Sequence, residues 1–251
     1  MSNYYNSKRT RNLYDKDAAK PFRLSRSKID LFLECQRCFY LDRKLGIGRP
    51  PGYPFSLNSA VDALLKKEFD MHRAHKTVHP LVKEFGIDLV PFQHEFIEVW
   101  RDSLRRGITY EVPRTNVIVT GGVDDVWVDP KTEELTIVDY KATSKNGEVS
   151  LDADWQIGYK RQMEIYQWLF RRNDFKVSST GYFVYCNGRA DGNAFNAKLE
   201  FDIKLLPYEG DDSWVEGTVR GAHEVLCGDS LPESGGDCDF CSYYVERKEA
   251  S

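Results

Sequence analysis

The sequence predicts an α/β protein in which helices flank a small central mixed β-sheet. Residues 120–141 alternate apolar and polar side chains on both sides of a polar turn, which is the pattern of a β-hairpin. Residues 152–173 repeat apolar side chains at steps of three and four, which is the pattern of an amphipathic helix. The 251 residues contain no internal repeat, and a chain of this length can bury one large core.

Taken in order, the periodicity predicts five helices and four strands. The helices are expected at 25–45, 56–75, 91–106, 153–172 and 212–227. The strands are expected at 116–128, 134–141, 178–186 and 195–205. No apolar run approaches the roughly 20 residues that a membrane span needs, so we expect no membrane association.

Charge is distributed unevenly along the chain, whose formal net charge is −4. Residues 1–28 contain eight Lys or Arg and two Asp, whereas the remainder contains 27 basic and 37 acidic residues. We interpret residues 1–22 as a basic, disordered arm and residues 23–251 as a single domain. With Tyr4, Tyr5 and Tyr14 interleaved, the arm either lies on phosphates and stacks on bases or serves only to keep the protein soluble.

The predicted hairpin carries a candidate catalytic group. If the turn lies at residues 131–132, Asp124 is opposite Asp139, with Cβ atoms roughly 5 Å apart, a span that one divalent cation bridges. Lys141 points to the same face as Asp139, and its cross-strand partner Gly122 leaves room for a substrate. Two carboxylates and a lysine beside an open space form a site for metal-assisted phosphodiester cleavage. The alternative is a solvated sheet face with Lys141 as counter-ion.

The following helix adds two polar candidates. Gln162 and Tyr166 are four residues apart, so they share one helix face. There they hold either a phosphate or Lys141. The alternative places Tyr166 in the core and Gln162 in solvent.

The order of these motifs resembles the PD-(D/E)XK nuclease superfamily, in its RecB-like branch. The residues are Gly121-x-x-Asp124, then Asp139-Tyr-Lys141, then Gln162-x-x-x-Tyr166, and 24–40 resembles the N-terminal helix of that branch. The match extends from about Leu24 to Tyr244. It implies a restriction-endonuclease-like core, a Mg²⁺- or Mn²⁺-dependent deoxyribonuclease and similarity to the CRISPR-associated iron–sulfur exonucleases.

One metal ligand of that branch is replaced here. The branch usually has a His on an early helix, and Asp62 occupies the matching position, at the edge of an apolar stripe. An Asp suits Mg²⁺ or Mn²⁺, since both prefer oxygen ligands. His72, ten residues on, is a poorer candidate, and a solvated helix acid is the alternative. The resemblance implies that Asp62, Asp124, Asp139 and the carbonyl of Tyr140 hold the metal.

Four of the six cysteines form two Cys-x-x-Cys pairs, namely Cys35 with Cys38 and Cys238 with Cys241. Four thiolates in two pairs form a closed site for Zn²⁺ or an iron–sulfur cluster. No signal peptide precedes the chain, so we expect a cytoplasmic protein in which disulfides are disfavoured. The resembled branch often holds a [4Fe–4S] cluster with one plus three cysteines, and the arrangement of two plus two here leaves Zn²⁺ open. We interpret Cys186 and Cys227 as packing thiols.

The resulting hypothesis is a metal-dependent nuclease that acts on DNA ends or single strands, with Asp124, Asp139 and Lys141 as catalytic residues. Gln162 and Tyr166 would orient Lys141 or the backbone. By analogy with the family, the process is recombination, repair or CRISPR spacer acquisition, with the proteins of those processes as partners. Two alternatives are a non-catalytic DNA-binding module with a structural Cys₄ site and a redox protein that uses the cluster.

Overall fold

The computed structural model of the protein describes residues 9–52 and 56–250. It confirms the predicted α/β class, although the strands form two mixed sheets rather than one. The strands are β1 Phe22–Ser25, β2 Val90–Pro91, β3 Ile108–Glu111, β4 Val117–Gly121, β5 Asp125–Val128, β6 Leu135–Thr143, β7 Thr180–Gly188 and β8 Phe201–Glu209.

Helices connect and cover these strands. They are α1 Arg26–Glu34, α2 Gln36–Arg43, α3 Ser56–His75, α4 Pro80–Glu84, α5 Ile97–Trp100, α6 Ile157–Arg172, α7 Val215–Cys227 and α8 Asp239–Glu249, and a 3₁₀ turn at Asp154–Gln156 leads into α6. Within the described residues, none of these helices combines the length and the apolar character that a membrane crossing requires.

Contacts divide the chain into two compact units. The first contains Met1–Tyr53, Thr109–Thr120 and Ser213–Ser251, and the second contains Pro54–Ile108 and Gly121–Asp212. The expectation of one domain over 23–251 stays a prediction. The expected basic arm begins in residues 1–8, which lie outside the described residues. From Arg9 onward the chain pairs with the first unit, since the Arg9 N–H donates to the Gly46 carbonyl at 2.9 Å.

The second unit contains a five-stranded sheet in the order β2-β5-β6-β7-β8. Strands β5 and β6 form the predicted antiparallel hairpin, and the pairs Val126–Ile137 and Val128–Leu135 confirm its register. Strand β7 is parallel to β6, and a parallel connection needs a crossover, which α6 supplies. The apolar face of the sheet packs against α3 in a core that includes Leu65, Phe69, Trp127, Tyr140 and Val184.

The first unit contains a three-stranded sheet in the order β1-β4-β3, in which Phe22 of β1 pairs with Val117 of β4. Helix α7 buries one apolar stripe at steps of three and four, formed by Val215, Val219, Ala222 and Leu226. The predicted helix 25–45 is two helices, because Cys35 between them has an extended backbone.

Three further element predictions were wrong in part. In 91–106 only Ile97–Trp100 is helical, because Val90–Pro91 pairs with β5 and the Phe92 N–H donates to the Val126 carbonyl at 2.8 Å. The predicted strand 116–128 is broken between β4 and β5, which belong to different sheets. The strand expected at 195–205 runs instead from Phe201 to Glu209, which is the range that pairs with β7. Helix α8 was not predicted.

Candidate active site and metal centre

Strand β6 places Asp139 and Lys141 on one face, two residues apart, as the hairpin predicts. The Asp139 carboxylate is fully buried, and its Oδ1 accepts a hydrogen bond from Nε2 of Gln162 at 2.7 Å. Its Oδ2 pairs with Nζ of Lys141. Oε1 of Gln162 accepts from the same Nζ at 3.3 Å. The Gln162 amide therefore connects the carboxylate to the ammonium.

Tyr166 continues this array along α6. Nε2 of Gln162 also lies 3.2 Å from the hydroxyl of Tyr166, as the spacing of four residues predicts. The Tyr166 ring lies against β4 at Gly121, where a Cβ atom would be 2.7 Å from the ring and 2.9 Å from Leu169. Only a residue without a side chain allows this approach. Gly121 thus contributes to the site by admitting the Tyr166 ring.

Lys141 faces an open cleft. Its Nζ lies 4.4 Å above the centroid of the Tyr159 ring, an aromatic contact that the sequence reasoning did not find. Tyr159 lies three residues before Gln162 and therefore on the same face of α6, and this spacing was the sequence signal that could have placed it at the site. The cleft has a volume of about 450 Å³ and is lined by residues that include Asn58, Asp62, Asp124, Lys141 and Tyr159. The floor of the cleft thus combines carboxylates and an ammonium.

Asp124 reaches the same cleft from the residue before β5. Its Oδ2 accepts from the backbone N–H of Tyr140 at 3.0 Å, which attaches the Asp124 carboxylate to β6. Its Oδ1 lies 3.2 Å from Nζ of Lys66, and that ammonium also lies 2.8 Å from Oδ2 of Asp62. Asp62 therefore faces Asp124, with a lysine between them.

Lys66 is a second residue that the sequence reasoning missed. It stands four residues after Asp62 on α3, a spacing that predicts an ion pair. Burial lowers the pKa of Lys66, but the carboxylates of Asp124 and Asp62 outweigh this, so its pKa is raised. The pKa of Asp62 is raised by burial and by the charge of Asp124. Two carboxylates thus share one cation.

The neighbouring Asp125 has a different role. Its carboxylate is fully buried, pairs with the guanidinium of Arg73 and lies 3.2 Å from Nη2 of Arg101. It also accepts from the Tyr140 hydroxyl at 2.8 Å and from the indole of Trp127 at 3.3 Å. The Tyr140 side chain therefore points away from the cleft, and Asp125 belongs to a buried structural network.

The space that we expected beside Gly122 is filled. A Cβ atom at Gly122 would lie 2.4 Å from the Cβ of Ser103, so the backbone at Gly122 is packed directly against Ser103. The prediction that Gly122 leaves room for a substrate was therefore wrong. The open volume lies instead where Asn58 and Asp62 of α3 face Lys141 of β6.

The four predicted cysteines meet in the first unit. The Sγ atoms of Cys38 and Cys238 are 3.6 Å apart, those of Cys38 and Cys241 are 3.7 Å apart, and those of Cys35 and Cys241 are 3.8 Å apart. All four lie within 4.8 Å of one another. Within residues 9–52 and 56–250, these cysteines are the one group in which three or more Cys, His, Asp or Glu ligand atoms lie this close together. The three aspartates that the sequence predicts as ligands of Mg²⁺ or Mn²⁺ do not form such a group.

Local structure favours the thiolate form of Cys35, whereas burial and hydrogen bonds with the neighbouring thiols raise the pKa of Cys38 and of Cys241. The backbone N–H groups of Gly235 and Cys38 point at Sγ of Cys35, at 3.3 and 3.4 Å. Burial raises the pKa of Cys35, and these hydrogen bonds outweigh it and lower the pKa to about 6. A thiolate is the form that binds a metal. Cys186 is buried in the second unit, and Cys227 lies beside His223 and Tyr14.

Comparison with known proteins decides the family. The sequence profile of the PD-(D/E)XK nuclease superfamily matches residues 57–245. The chain belongs to the PD-(D/E)XK nuclease superfamily. A search of curated proteins found no match. Among solved structures, the one titled "Crystal structure of SSO0001" is 15% identical and has a TM-score of 0.38, with 89% of this chain and 84% of that chain covered.

Membership in the PD-(D/E)XK nuclease superfamily supports a nuclease-type function, and it confirms the resemblance that the motifs Asp139-Tyr-Lys141 and Gln162-x-x-x-Tyr166 indicate. PD-(D/E)XK nucleases usually use divalent metals, and the four cysteines supply a second place that could bind one. The hydrogen-bonded array around Asp139 lies within the residues that the family profile covers.

Proposed function

We propose that the protein is a Mg²⁺- or Mn²⁺-dependent deoxyribonuclease that hydrolyses phosphodiester bonds at the cleft beside β6. The observation that carries this proposal is the array in which Gln162 joins Asp139 to Lys141. A structural ion pair would not need to open onto a cleft, whereas Lys141 and Asp124 both line one.

The charge arrangement of the cleft supports a divalent cation. The ammonium of Lys66 is within 3.2 Å of carboxylate oxygens from both Asp62 and Asp124, so the site already binds a positive charge between two hard oxygen donors. Asp62, Asp124, Asp139 and the Tyr140 carbonyl would hold the metal, and oxygen donors suit Mg²⁺ and Mn²⁺. When bound, the metal polarises a phosphate and lowers the pKa of a coordinated water.

The side chains of this protein supply the remaining chemistry. Lys141 provides a positive charge next to the scissile phosphate and stabilises the charge that develops in the transition state. Gln162 holds the ammonium and the Asp139 carboxylate in register, and Tyr166 supports Gln162. The Tyr159 ring covers the Lys141 ammonium on another side and restricts where it can point. These residues orient groups rather than react themselves.

We propose a RecB-like nuclease with an exonuclease-like action on DNA ends or single strands, in recombination, repair or CRISPR spacer acquisition. Proteins of those processes would be its partners. The support is the order of motifs around Asp124, Asp139 and Gln162 and the N-terminal segment 24–40. The action on ends and the biological process rest on analogy with the family.

For the four cysteines we propose one structural metal centre. Sulfur separations of 3.6 to 3.8 Å match a single tetrahedral ion with metal–sulfur bonds near 2.3 Å, which favours Zn²⁺. A [4Fe–4S] cluster, which the resemblance implies, needs the Sγ atoms to be farther apart. In both cases the metal would fasten α2 to the start of α8, because Cys38 and Cys238 belong to these two segments.

The test is cleavage of labelled single- and double-stranded DNA with Mn²⁺ by the wild type and by Asp139→Asn. We expect the variant to lose at least about a thousandfold in rate, because a neutral amide forms no ion pair with Lys141 and lacks the negative charge that holds a divalent cation. Asp88→Asn is the matched control, since Asp88 is an exposed acid that makes only a 3.5 Å pair with Lys131. Equal activity in Asp139→Asn and the control would refute the assignment.

A further inference from the structure

Helix α8 presents an aromatic stripe that the first unit does not bury. Phe240, Tyr243, Tyr244 and Arg247 follow the spacing i, i+3, i+4, i+7, which places them on one face of the helix. Such a stripe normally packs against a core, yet α8 has no buried residue, and Tyr243 and Tyr244 are 68% and 66% exposed. This face therefore has the composition of an interface, and the described residues leave much of it exposed.

A groove runs along this stripe. It has a volume of about 530 Å³, and its walls include Leu231, Tyr243 and Tyr244. Among the described residues that line it are three arginines, Arg37, Arg49 and Arg247, and no aspartate or glutamate. The groove thus combines flat apolar surfaces with guanidinium groups.

Contacts within the first unit hold two of these arginines in place. Nε of Arg37 donates to the Pro232 carbonyl at 2.9 Å, which fixes the side chain, while its pairing with the fully exposed Glu233 is long, at 3.7 Å. Arg49 lies over the ring of Phe240, 4.6 Å from its centroid, and its Nη1 pairs with Oε2 of the partly exposed Glu34 at 2.6 Å. Exposed ion pairs of this kind contribute little and are readily exchanged.

We propose that this groove, named here the α8 groove, binds a single-stranded nucleic acid. Aromatic faces stack on unpaired bases without regard to sequence, and arginines neutralise the phosphates between them. A duplex has no exposed base faces, so the stacking surfaces of Tyr243 and Tyr244 select for single strands. An aliphatic partner helix would cover the three guanidinium groups and offer them no anion.

The inference rests on the proposed nuclease function and adds a place where the strand is held, separate from the residues that cut it. All the residues of the α8 groove belong to the first unit, whereas Asp139 and Lys141 belong to the second. Substitutions in the groove should therefore change DNA binding and leave the chemistry of the cleft unaltered.

The binding test uses fluorescein-labelled dT20 and the full chain, in buffer without added divalent metal so that no cleavage occurs. We expect Tyr243→Ala/Tyr244→Ala to weaken binding at least tenfold, since each stacked base contributes substantially. Tyr243→Phe/Tyr244→Phe keeps the rings and should bind like the wild type. Arg247→Gln should reduce the slope of log K against log salt by about one.

Two controls separate the groove from general effects. Phe195→Ala removes an equally exposed aromatic ring elsewhere and should bind dT20 normally. Metal content of each variant shows whether the cysteine centre beside α8 is intact. Unchanged dT20 binding by the double Ala variant overturns the inference. Tighter binding of a labelled poly-glutamate peptide than of dT20, lost in the same variant, also overturns it, because the groove would then be a protein site.

A small substrate distinguishes failure of this inference from failure of the nuclease proposal. Metal-dependent hydrolysis of bis(p-nitrophenyl) phosphate requires the cleft. The ester itself is too small to span the α8 groove. If the wild type hydrolyses it and the double Ala variant binds dT20 normally, only the α8 groove is refuted. If the wild type binds dT20 through these tyrosines but hydrolyses neither DNA nor this ester, only the nuclease proposal is refuted.

Discussion

Nζ of Lys66 lies 3.2 Å from Oδ1 of Asp124, so an ammonium of the protein pairs with a carboxylate that we propose as a metal ligand. The same ammonium lies 2.8 Å from Asp62. A metal that binds these carboxylates must displace Lys66 or share them with it. On the proposed assignment, Lys66 would compete with the metal for these two carboxylates.

Replacing Lys66 tests this competition. Lys66→Met removes the internal cation and keeps the length of the side chain, so we expect Mn²⁺ to bind about tenfold more tightly, as measured by isothermal titration calorimetry. Lys67→Met is the matched control, because Lys67 is the exposed neighbour on α3. Unchanged or weaker Mn²⁺ binding in Lys66→Met would show that the lysine does not occupy the cation position.

The adjacent acids Asp124 and Asp125 should respond in opposite ways. Asp124→Asn removes a cleft carboxylate that is partly exposed, so we expect a large loss of nuclease activity with a small change in the free energy of unfolding. Asp125→Asn leaves the buried guanidinium groups of Arg73 and Arg101 without their counter-charge and should cost about 3 to 5 kcal/mol. Urea denaturation and DNA cleavage of both variants measure the two effects. Similar stability losses would argue against the division of roles.

Gly121 should tolerate no side chain. Gly121→Ala places a Cβ atom 2.7 Å from the Tyr166 ring, so we expect a loss of about 1 to 3 kcal/mol in the free energy of unfolding and reduced nuclease activity. Gly217→Ala is the control, because a Cβ there meets no atom within 4 Å and helix propensity favours Ala. Partial recovery of stability in Gly121→Ala/Tyr166→Leu would identify the ring as the cause, and full stability of Gly121→Ala would contradict the packing argument.

Removing one of the four clustered cysteines tests the proposed metal centre. We expect Cys238→Ser to lose the metal and to unfold the first unit at lower urea concentration, because metal binding energy is also folding energy. Cys227→Ser should keep both metal and stability, since Cys227 is not one of the four clustered thiols. Elemental analysis with a visible spectrum gives the species: zinc without colour, or iron with a broad band near 400 nm. Full metal content in Cys238→Ser would refute the site.

The sequence predicted those parts of the site that local periodicity determines. The apolar pairs Val126–Ile137 and Val128–Leu135 set the hairpin register, and that register carries Asp139 and Lys141 to one face. For Lys66, the sequence could predict only an ion pair with Asp62, four residues earlier on α3. Its contact with Asp124 depends on how α3 lies on the sheet, which tertiary packing decides.

The wrong predictions likewise concern features that tertiary packing decides. Residues 91–106 have apolar side chains at helical spacing, but the Phe92 N–H is used by a sheet edge, so a strand pairing prevails over the periodicity. Gly121 and Gly122 look alike in the sequence, yet one admits the Tyr166 ring and the other packs against Ser103. Nothing in the local pattern distinguishes the two.

The ligands of the cysteine site are far apart in the order of synthesis. Cys38 and Cys241 are 203 residues apart, and translation at 5 to 20 residues per second separates their emergence by about 10 to 40 s. The first unit, whose last segment is Ser213–Ser251, is thus completed after the second, and the proposed metal centre can form only once Cys238 and Cys241 have been synthesised.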